Sequence, residues 1–403
     1  MKEAAILFIE SNTSGTGQMF LRSASELGFT PILLSDDPSR YDFGADDLAH
    51  AISCDTSSVK EIRRTCERLA ERFIIKAVWS SSEYYIATSA VVAELLHLPG
   101  PSSAAVVRCR DKNAQRQLTA SLHDAAPRSV LADTAEAIRV AVADIGLPVV
   151  LKPVSGSGSV GVRLCTTSYD VGQVAEEICD GLLVQKLEPP LLVEEYLEGA
   201  EYSVEIFDGR SIGVTRKHLG ALPFFVEVGH DFPAHEIRDG ASTLSAFAER
   251  VANALGITWG PAHIELKMRN GVPVLVEANP RLAGGFIPVL VYNSLGINLI
   301  EATLRRALGS QLDLRPTRTN GSSIRFLLLD QQVQQPRKDL LSYVRHQRHV
   351  ADICFYSTAA TPRRGPQGDF RDRTGHIITI GRDVEEATKA ADEAVRNLQR
   401  KFF

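Results

Sequence analysis

The chain of 403 residues has no apolar run near the roughly 18 residues that a membrane-crossing helix needs. Its opening, MKEAAILFIE, ends a short apolar run at an acid and lacks a small-residue cleavage site, so a secretory leader is not expected. The six cysteines (Cys54, Cys66, Cys109, Cys165, Cys179 and Cys354) are scattered, with no CxxC pair. That argues against structural zinc and for reduced thiols in a cytoplasmic protein. Basic residues are not in excess: 44 Lys and Arg face 49 Asp and Glu, giving a net charge of −5. That balance argues against a general nucleic-acid surface, whereas it leaves room for a local basic site for a small phosphate ligand. Repeats and low-complexity tracts are also missing. With 44% hydrophobic and 23% charged residues, the composition is that of an ordinary globular chain long enough for two or three domains.

Further absences narrow the chemistry. Gly15 and Gly17 begin a G-x-G-x-x-G pattern, but Phe20 stands where the third glycine belongs. Asp36 and Asp37 only approach the place of a ribose-binding acid, so a nicotinamide dinucleotide site is disfavoured. The glycine-serine stretch Ser155-Gly156-Ser157-Gly158-Ser159-Val160-Gly161 is not a Walker A loop, since no Gly-Lys-Ser/Thr follows. No Ser-His or Cys-His arrangement offers a covalent nucleophile.

The pattern that is present begins as a β-loop-α-β unit: AAILFI, a glycine turn, QMFLRSASELGF and TPILLS. IKAVWS reads as a further strand and EYYIATSAVVAELLHL as its helix, and LPGPSS (98–103) looks like a domain edge. Later segments alternate between strands (LPVVLKPV, LLVEEYLEGAEYSVEIFDG, GHIITIGRD) and helices (ADTAEAIRVAVADIG, SYDVGQVAEEICDGL, AFAERVANALGI, VEEATKAADEAVRNLQRKFF).

The residues that point to a ligand lie around PAHIELKMRNGVPVLVEANPR, which reads as a hairpin turning at Asn270-Gly271. Along its second strand, alternation puts Leu275, Glu277, Asn279 and Arg281 on one face. A solvated edge strand would show the same alternation. Glu265 on the first strand lies beside Glu277, and two carboxylates with an amide form a cluster of hard oxygens suited to Mg²⁺ when phosphate oxygens complete its shell. The glycine-serine loop, preceded by Lys152, can bring backbone N–H groups to an anion, although a flexible hairpin tip has the same composition. VEEYLEGAEYSVE (193–205) can offer strand backbone to a base edge, with Glu201 placed to accept from ribose hydroxyls.

Taken together, these motifs resemble the ATP-grasp superfamily, and within it the carboxylate–amine ligases similar to bacterial L-amino acid (dipeptide) ligases. The resemblance covers nearly the whole chain, and the Glu-x₁₁-Glu-x-Asn-x-Arg spacing at Glu265, Glu277, Asn279 and Arg281 is its most specific part. It implies an α/β (α+β) ATP-grasp fold. An N-terminal Rossmann-like domain would cover 1–110 and the grasp domain 111–310, with a glycine-loop lid at about 120–195. A C-terminal α/β, lid-like subdomain would cover 311–403.

The resemblance also implies roles. Lys112 and Lys152 would contact ATP, Ser155 to Gly161 would fold over its triphosphate, and Glu194, Glu195, Tyr196 and Leu197 would hold adenine. Glu201 would bind ribose. Glu265, Glu277 and Asn279 would hold two Mg²⁺ ions, with Mn²⁺ able to substitute, and Arg281 would meet the transferring phosphate and the intermediate. Catalysis would rest on Arg281, Lys152 and Glu277. The segment FFVEVGHDFPA (224–234) looks like a substrate loop, placing Glu227 and His230 at an amino-acid substrate, and Glu83 is a candidate for its amine. Arg371, Arg373 and His376 fall in a closing lid or in surface pairs. Gly284 and Gly285 replace a bulky wall, implying a roomier acyl pocket. The expected partners are small carboxylates and amines, with no nucleic acid or membrane and with a homodimer as a common arrangement. The expected activity is ATP-dependent amide formation through an acyl phosphate, in dipeptide-antibiotic or siderophore biosynthesis. A carboxylase or purine-type enzyme using carboxyphosphate and a non-catalytic nucleotide-binding protein are the alternatives.

Overall fold

A computed structural model describes residues 2–13, 15–41, 50–122, 126–184, 190–235, 240–328, 338–356 and 370–402. The expectations for Ser14 of the first glycine turn and for the Cys179 side chain lie outside what it describes.

The first layer is built from β1 (Glu3–Ile9), α1 (Thr16–Glu26), β2 (Thr30–Ser35), β3 (His50–Ser53), α2 (Val59–Leu69), β4 (Phe73–Trp79) and α3 (Ile86–Leu95). Its four strands are parallel, in the order β3-β2-β1-β4. Ala5 to Ile9 are fully buried because helices cover both faces, which is why the sequence there is a continuous apolar run rather than an alternating one. The stretch after LPGPSS folds as two short helices. It divides into α4 (Ser103–Cys109) and α5 (Lys112–Thr119), because Asp111 turns out of helical geometry and caps α5 by accepting from the Asn113 and Ala114 amides.

A small antiparallel layer follows: β5 (Ser129–Ala132), α6 (Ala135–Ile145), β6 (Val149–Pro153), β7 (Arg163–Cys165), α7 (Ser168–Val184) and β8 (Leu191–Glu195). Its strand order is β5-β8-β6-β7, and the glycine-serine loop is the β6–β7 connection.

The rest of the chain is β9 (Glu201–Phe207), β10 (Arg210–Leu219), β11 (Glu227–Phe232), α8 (Gly240–Leu255), β12 (Pro261–Arg269), β13 (Val272–Asn279), α9 (Ile287–Leu295) and α10 (Leu299–Ala307). After these come β14 (Gly321–Leu327), α11 (Lys338–Arg345), β15 (Val350–Phe355), β16 (Gly375–Gly381) and α12 (Val384–Phe402). Eight strands form one sheet, ordered β13-β12-β9-β10-β11-β14-β16-β15. It crosses the boundary expected at 310, since β11 on one side of that boundary pairs with β14 on the other. The segment expected as a substrate loop is also corrected. Residues 227–232 are an interior strand of this sheet, held by β10 and β14.

One face of the sheet is packed by α8, whose buried Leu244, Phe247, Ala248, Val251, Ala252 and Leu255 recur at helical spacing. They meet Tyr202, Val204 and Ile206 of β9, Ala262, Ile264 and Leu266 of β12, and Leu275 and Ala278 of β13. Because strand side chains alternate, the intervening residues of β9 and β12 must all point to the opposite face. Among the described residues no single helix is long and apolar enough to cross a membrane.

Candidate active site

The opposite face carries the polar residues in three paired rungs: Glu201 with Lys267, Ser203 with Glu265, and Glu205 with His263. Glu201, Ser203, Glu205, His263 and Lys267 are all buried. Buried charge needs partners, and these residues supply them to one another. His263 bridges two acids, with Nδ1 at 2.9 Å from Glu205 and Nε2 at 3.0 Å from Glu265. Burial opposes its charge, but Glu205 and Glu265 outweigh burial and push its pKa up to about 9.

The centre of this face is a residue that no expectation named. Lys217 on β10 is 2% exposed, and its ammonium lies 2.7 Å from Glu227, 2.9 Å from Glu265 and 3.1 Å from Glu201. Burial alone would lower its pKa; three carboxylates hold it well above the ordinary lysine value. Glu227 is correspondingly held well below the usual carboxylate range: Lys217 and Arg373 overcome the effect of burial. Arg373 donates to the Glu227 backbone oxygen at 3.1 Å and to its carboxylate at 2.6 Å, with its guanidinium 3.8 Å above the Phe326 ring. His376 instead belongs to the sheet, bonded to Tyr356 and Asp352 at 2.9 Å each. Arg371 sits in the short turn Phe370–Asp372.

The hairpin turns at Asn270-Gly271, both with positive φ, and sets Glu265 opposite Glu277. The alternation expected from Leu275 onward fails at one point. A register shift at Val276 changes the phase, so Leu275 joins Ala278 in the core while Glu277 and Asn279 face the site. Strand β13 is an edge strand, as the solvated reading required, yet Asn279 is buried. Glu277 is met by Lys112 at 3.0 Å. With its amide oriented to satisfy its neighbours, Asn279 donates to Glu277 at 3.2 Å and to Glu83 at 3.1 Å. On Glu265 both cationic contacts fall on Oε1, and the Lys112 and Asn279 contacts on Glu277 do the same. An all-oxygen set of two acids and an amide fits Mg²⁺. Among the described residues no cluster of three or more His, Cys, Asp and Glu could hold a metal by itself, so the remaining ligands must come from a bound phosphate or water.

Glu83 differs from its expectation as an amine holder. It is 4% exposed, and each carboxylate oxygen is taken by a guanidinium, Arg110 on Oε1 and Arg281 on Oε2. The acyl-pocket expectation divides between the two glycines. A side chain at Gly284 would enter open space, but at Gly285 the space is already filled: a Cβ there would lie 2.5 Å from His230 Nε2. His230 is fully buried, burial depresses its pKa to about 3, and neither ring nitrogen has a hydrogen-bond partner among the described residues.

The small antiparallel layer closes over the polar face and leaves a cleft of about 920 Å³, open mouth included. The cleft brings together Lys112, Lys152, Gly156, Ser157, Gly158, Ser159, Glu194, Glu195, Tyr196, Leu197, Glu201, Glu227, Glu265 and Glu277. Ser155, Asn279, Arg281, Glu83, His230, Gly284 and Gly285 do not line it. Lys217, Lys267 and Phe225 line it without having been expected.

The glycine loop is pinned from three sides. Lys112 donates to the Gly156 carbonyl at 3.3 Å and Ser159 to the Phe225 carbonyl at 2.9 Å. The Phe370 ring occupies the side of Gly158 where a Cβ would stand. At the hinge between the two sheets, the Tyr196 amide donates to Pro148 and the Leu197 carbonyl accepts from Lys267 at 3.0 Å. Among the described residues this leaves the Leu197 N–H and the Tyr196 carbonyl without partners, a donor and an acceptor suited to a base edge. Lys152 pairs with Glu194, which Arg116 also holds at 2.7 Å. Burial and the neighbouring cations leave the Lys152 pKa at about 8.

Comparisons with known proteins agree with this geometry. The ATP-grasp domain family matches residues 145–289. An uncharacterized protein, y4rH, of Sinorhizobium fredii is 31% identical over 398 residues, 99% of this chain and 83% of that protein. The alanine–anticapsin ligase of Bacillus subtilis is 26% identical over 266 residues, 61% of this chain and 56% of that ligase, so the match spans little more than half of the ligase. The crystal structure of an L-amino acid ligase from Bacillus licheniformis superposes with a TM-score of 0.80 at 20% identity, covering 98% of both chains.

Proposed function

The chain belongs to the ATP-grasp superfamily, and from that premise we propose that it is an ATP-dependent ligase joining a carboxylate to an amine through an acyl phosphate, with an L-amino acid as one substrate. The observation that carries the reading is the position of Glu227. The cleft that gathers a glycine loop, a hinge and the paired hairpin acids also contains this carboxylate, on a different strand; Lys217 and Arg373 hold its oxygens, but unlike Glu83 it lines the cleft, where a substrate ammonium can share it. The relative named alanine–anticapsin ligase supports the same reaction class.

In this reading adenine lies against the Tyr196 carbonyl and the Leu197 N–H, and Glu201 takes the ribose. The loop Gly156 to Ser159, with Lys112 and Lys152, holds the phosphates. Glu265, Glu277 and Asn279 would hold Mg²⁺, which supplies charge neutralisation on the phosphates when bound. A carboxylate does not condense with an amine at neutral pH, because its oxygen leaves poorly. Transfer of the γ-phosphate converts that oxygen into a leaving group, and the amine then displaces phosphate from the carbonyl. Arg281, held by Glu83 just beyond the end of β13, would meet the charge that develops there. Water competes with the amine, so the pinned loop and the Phe370 contact serve to exclude it.

Phosphate release from Mg-ATP, measured across single and paired amino acids with mass spectrometry of the products, tests the reading. Release that needs two substrates and yields their dehydrated adduct is expected. Release that depends on bicarbonate alone would instead identify a carboxyphosphate enzyme.

A further inference from the structure

Both acids assigned to metal already have a lysine. Lys217 sits 2.9 Å from Glu265 and also holds Glu201 and Glu227, and Lys112 sits 3.0 Å from Glu277. Each ammonium is almost wholly buried, so little solvent screens it. A free dication entering between these acids would lose much of their attraction to the two ammonium groups and would be repelled by both. Lysine is a point charge on a flexible stem, and Lys217 and Lys112 both line the cleft, so each can give up a carboxylate and remain beside whatever fills it. Lys112 already shows this reach, since the same Nζ bonds the Gly156 carbonyl in the phosphate loop.

We infer that Lys217, with Lys112, keeps the acid pair closed to free metal, so that the metal enters only with a polyphosphate that draws the two ammonium groups off the acids. These are positioning residues for the metal, and Lys217 additionally ties the metal acid Glu265 to the ribose acid Glu201 and the amine acid Glu227. The inference rests on the ATP-dependent reading above.

Electron paramagnetic resonance of Mn²⁺ with the full chain tests it, with circular dichroism confirming that each variant is folded. The wild-type protein is expected to bind Mn²⁺ weakly alone and tightly with ATP. Lys217→Met is expected to bind Mn²⁺ without nucleotide at least about tenfold more tightly than wild type, and Lys217→Arg to keep the exclusion. If Lys217→Met does not fold, Lys112→Met carries the test, since the same tightening is expected at Glu277. Folded variants that bind Mn²⁺ no better than wild type would overturn the inference. So would a wild-type protein that binds Mn²⁺ equally with and without ATP. Failure of ATP to promote Mn²⁺ binding in every protein would overturn the ATP-dependent reading itself, and the gate with it.

Discussion

Lys152 in the small antiparallel layer and Lys217 in the eight-stranded sheet are both buried ammonium groups lining one cleft, yet their pKa values move in opposite directions. Lys152 shares a single carboxylate, Glu194, with Arg116, so two cations compete for one acid and burial lowers its pKa to about 8. Lys217 stands among three carboxylates, which more than offset the same burial. Burial pushes both ammonium groups down, and the count of neighbouring acids and bases decides whether that push prevails. One lysine is poised to release its proton near neutral pH; the other is fixed as a cation.

Removing the two lysines in turn should separate these cases most widely. Lys217→Met leaves three carboxylates without their shared cation and is expected to cost about 3–5 kcal/mol of folding stability. Lys152→Met leaves Glu194 with Arg116 and is expected to cost no more than about 1 kcal/mol. Chemical denaturation measures both, and equal losses would break the comparison. A third, partly buried cation, Arg281, is paired with Glu83 rather than with either cluster's acids. Arg281→Ala is expected to lower product formation about 10²–10³-fold while ATP binding is largely retained. Loss of nucleotide binding with unchanged turnover at saturation would place Arg281 on the nucleotide instead.

The pH dependence sharpens the contrast. Below about 8 the Lys152 ammonium is present, and as pH rises through that value its charge is lost. The apparent KM for ATP is expected to rise over that interval in the wild type and to stay flat in Lys152→Arg. A step that persists in the arginine variant would assign the titration to another group. The smallest effects are expected at the paired glycines. Gly285→Ala, which sets a Cβ against His230 at positive φ, should cost about 1–3 kcal/mol. Gly284→Ala should change stability by less than about 0.5 kcal/mol. Thermal melts compare the two.

The hairpin was legible in the sequence because Asn270-Gly271 dictates a tight turn and the spacing of Glu265 and Glu277 then fixes their pairing. The register shift at Val276 was not legible, since nothing in the alternation announces an extra residue. The loop reading of 224–234 came from the resemblance alone, and residues 227–232 are instead a strand because β10 and β14 hold them on both sides. Lys217 was missed for a related reason. In VTRKHL it looks like one charge among several on a solvated strand, and only the tertiary gathering of Glu201, Glu227 and Glu265 makes it central. The available clue was arithmetical: three acids placed in one site call for a shared counter-charge. Gly284 and Gly285 looked alike in sequence and differ only because His230 packs against one of them.

The pairing of β11 with β14 has a consequence for inheritance. An exchange of gene segments at residue 310 would graft a foreign strand onto the edge that carries Glu227 and His230. A recombinant joined there would have to match hydrogen-bond register and the placement of Glu227 in the cleft in the same event. The strands from β9 to β16 are therefore one structural unit, and change within it is expected to be tolerated more readily as point substitution than as exchange of its end.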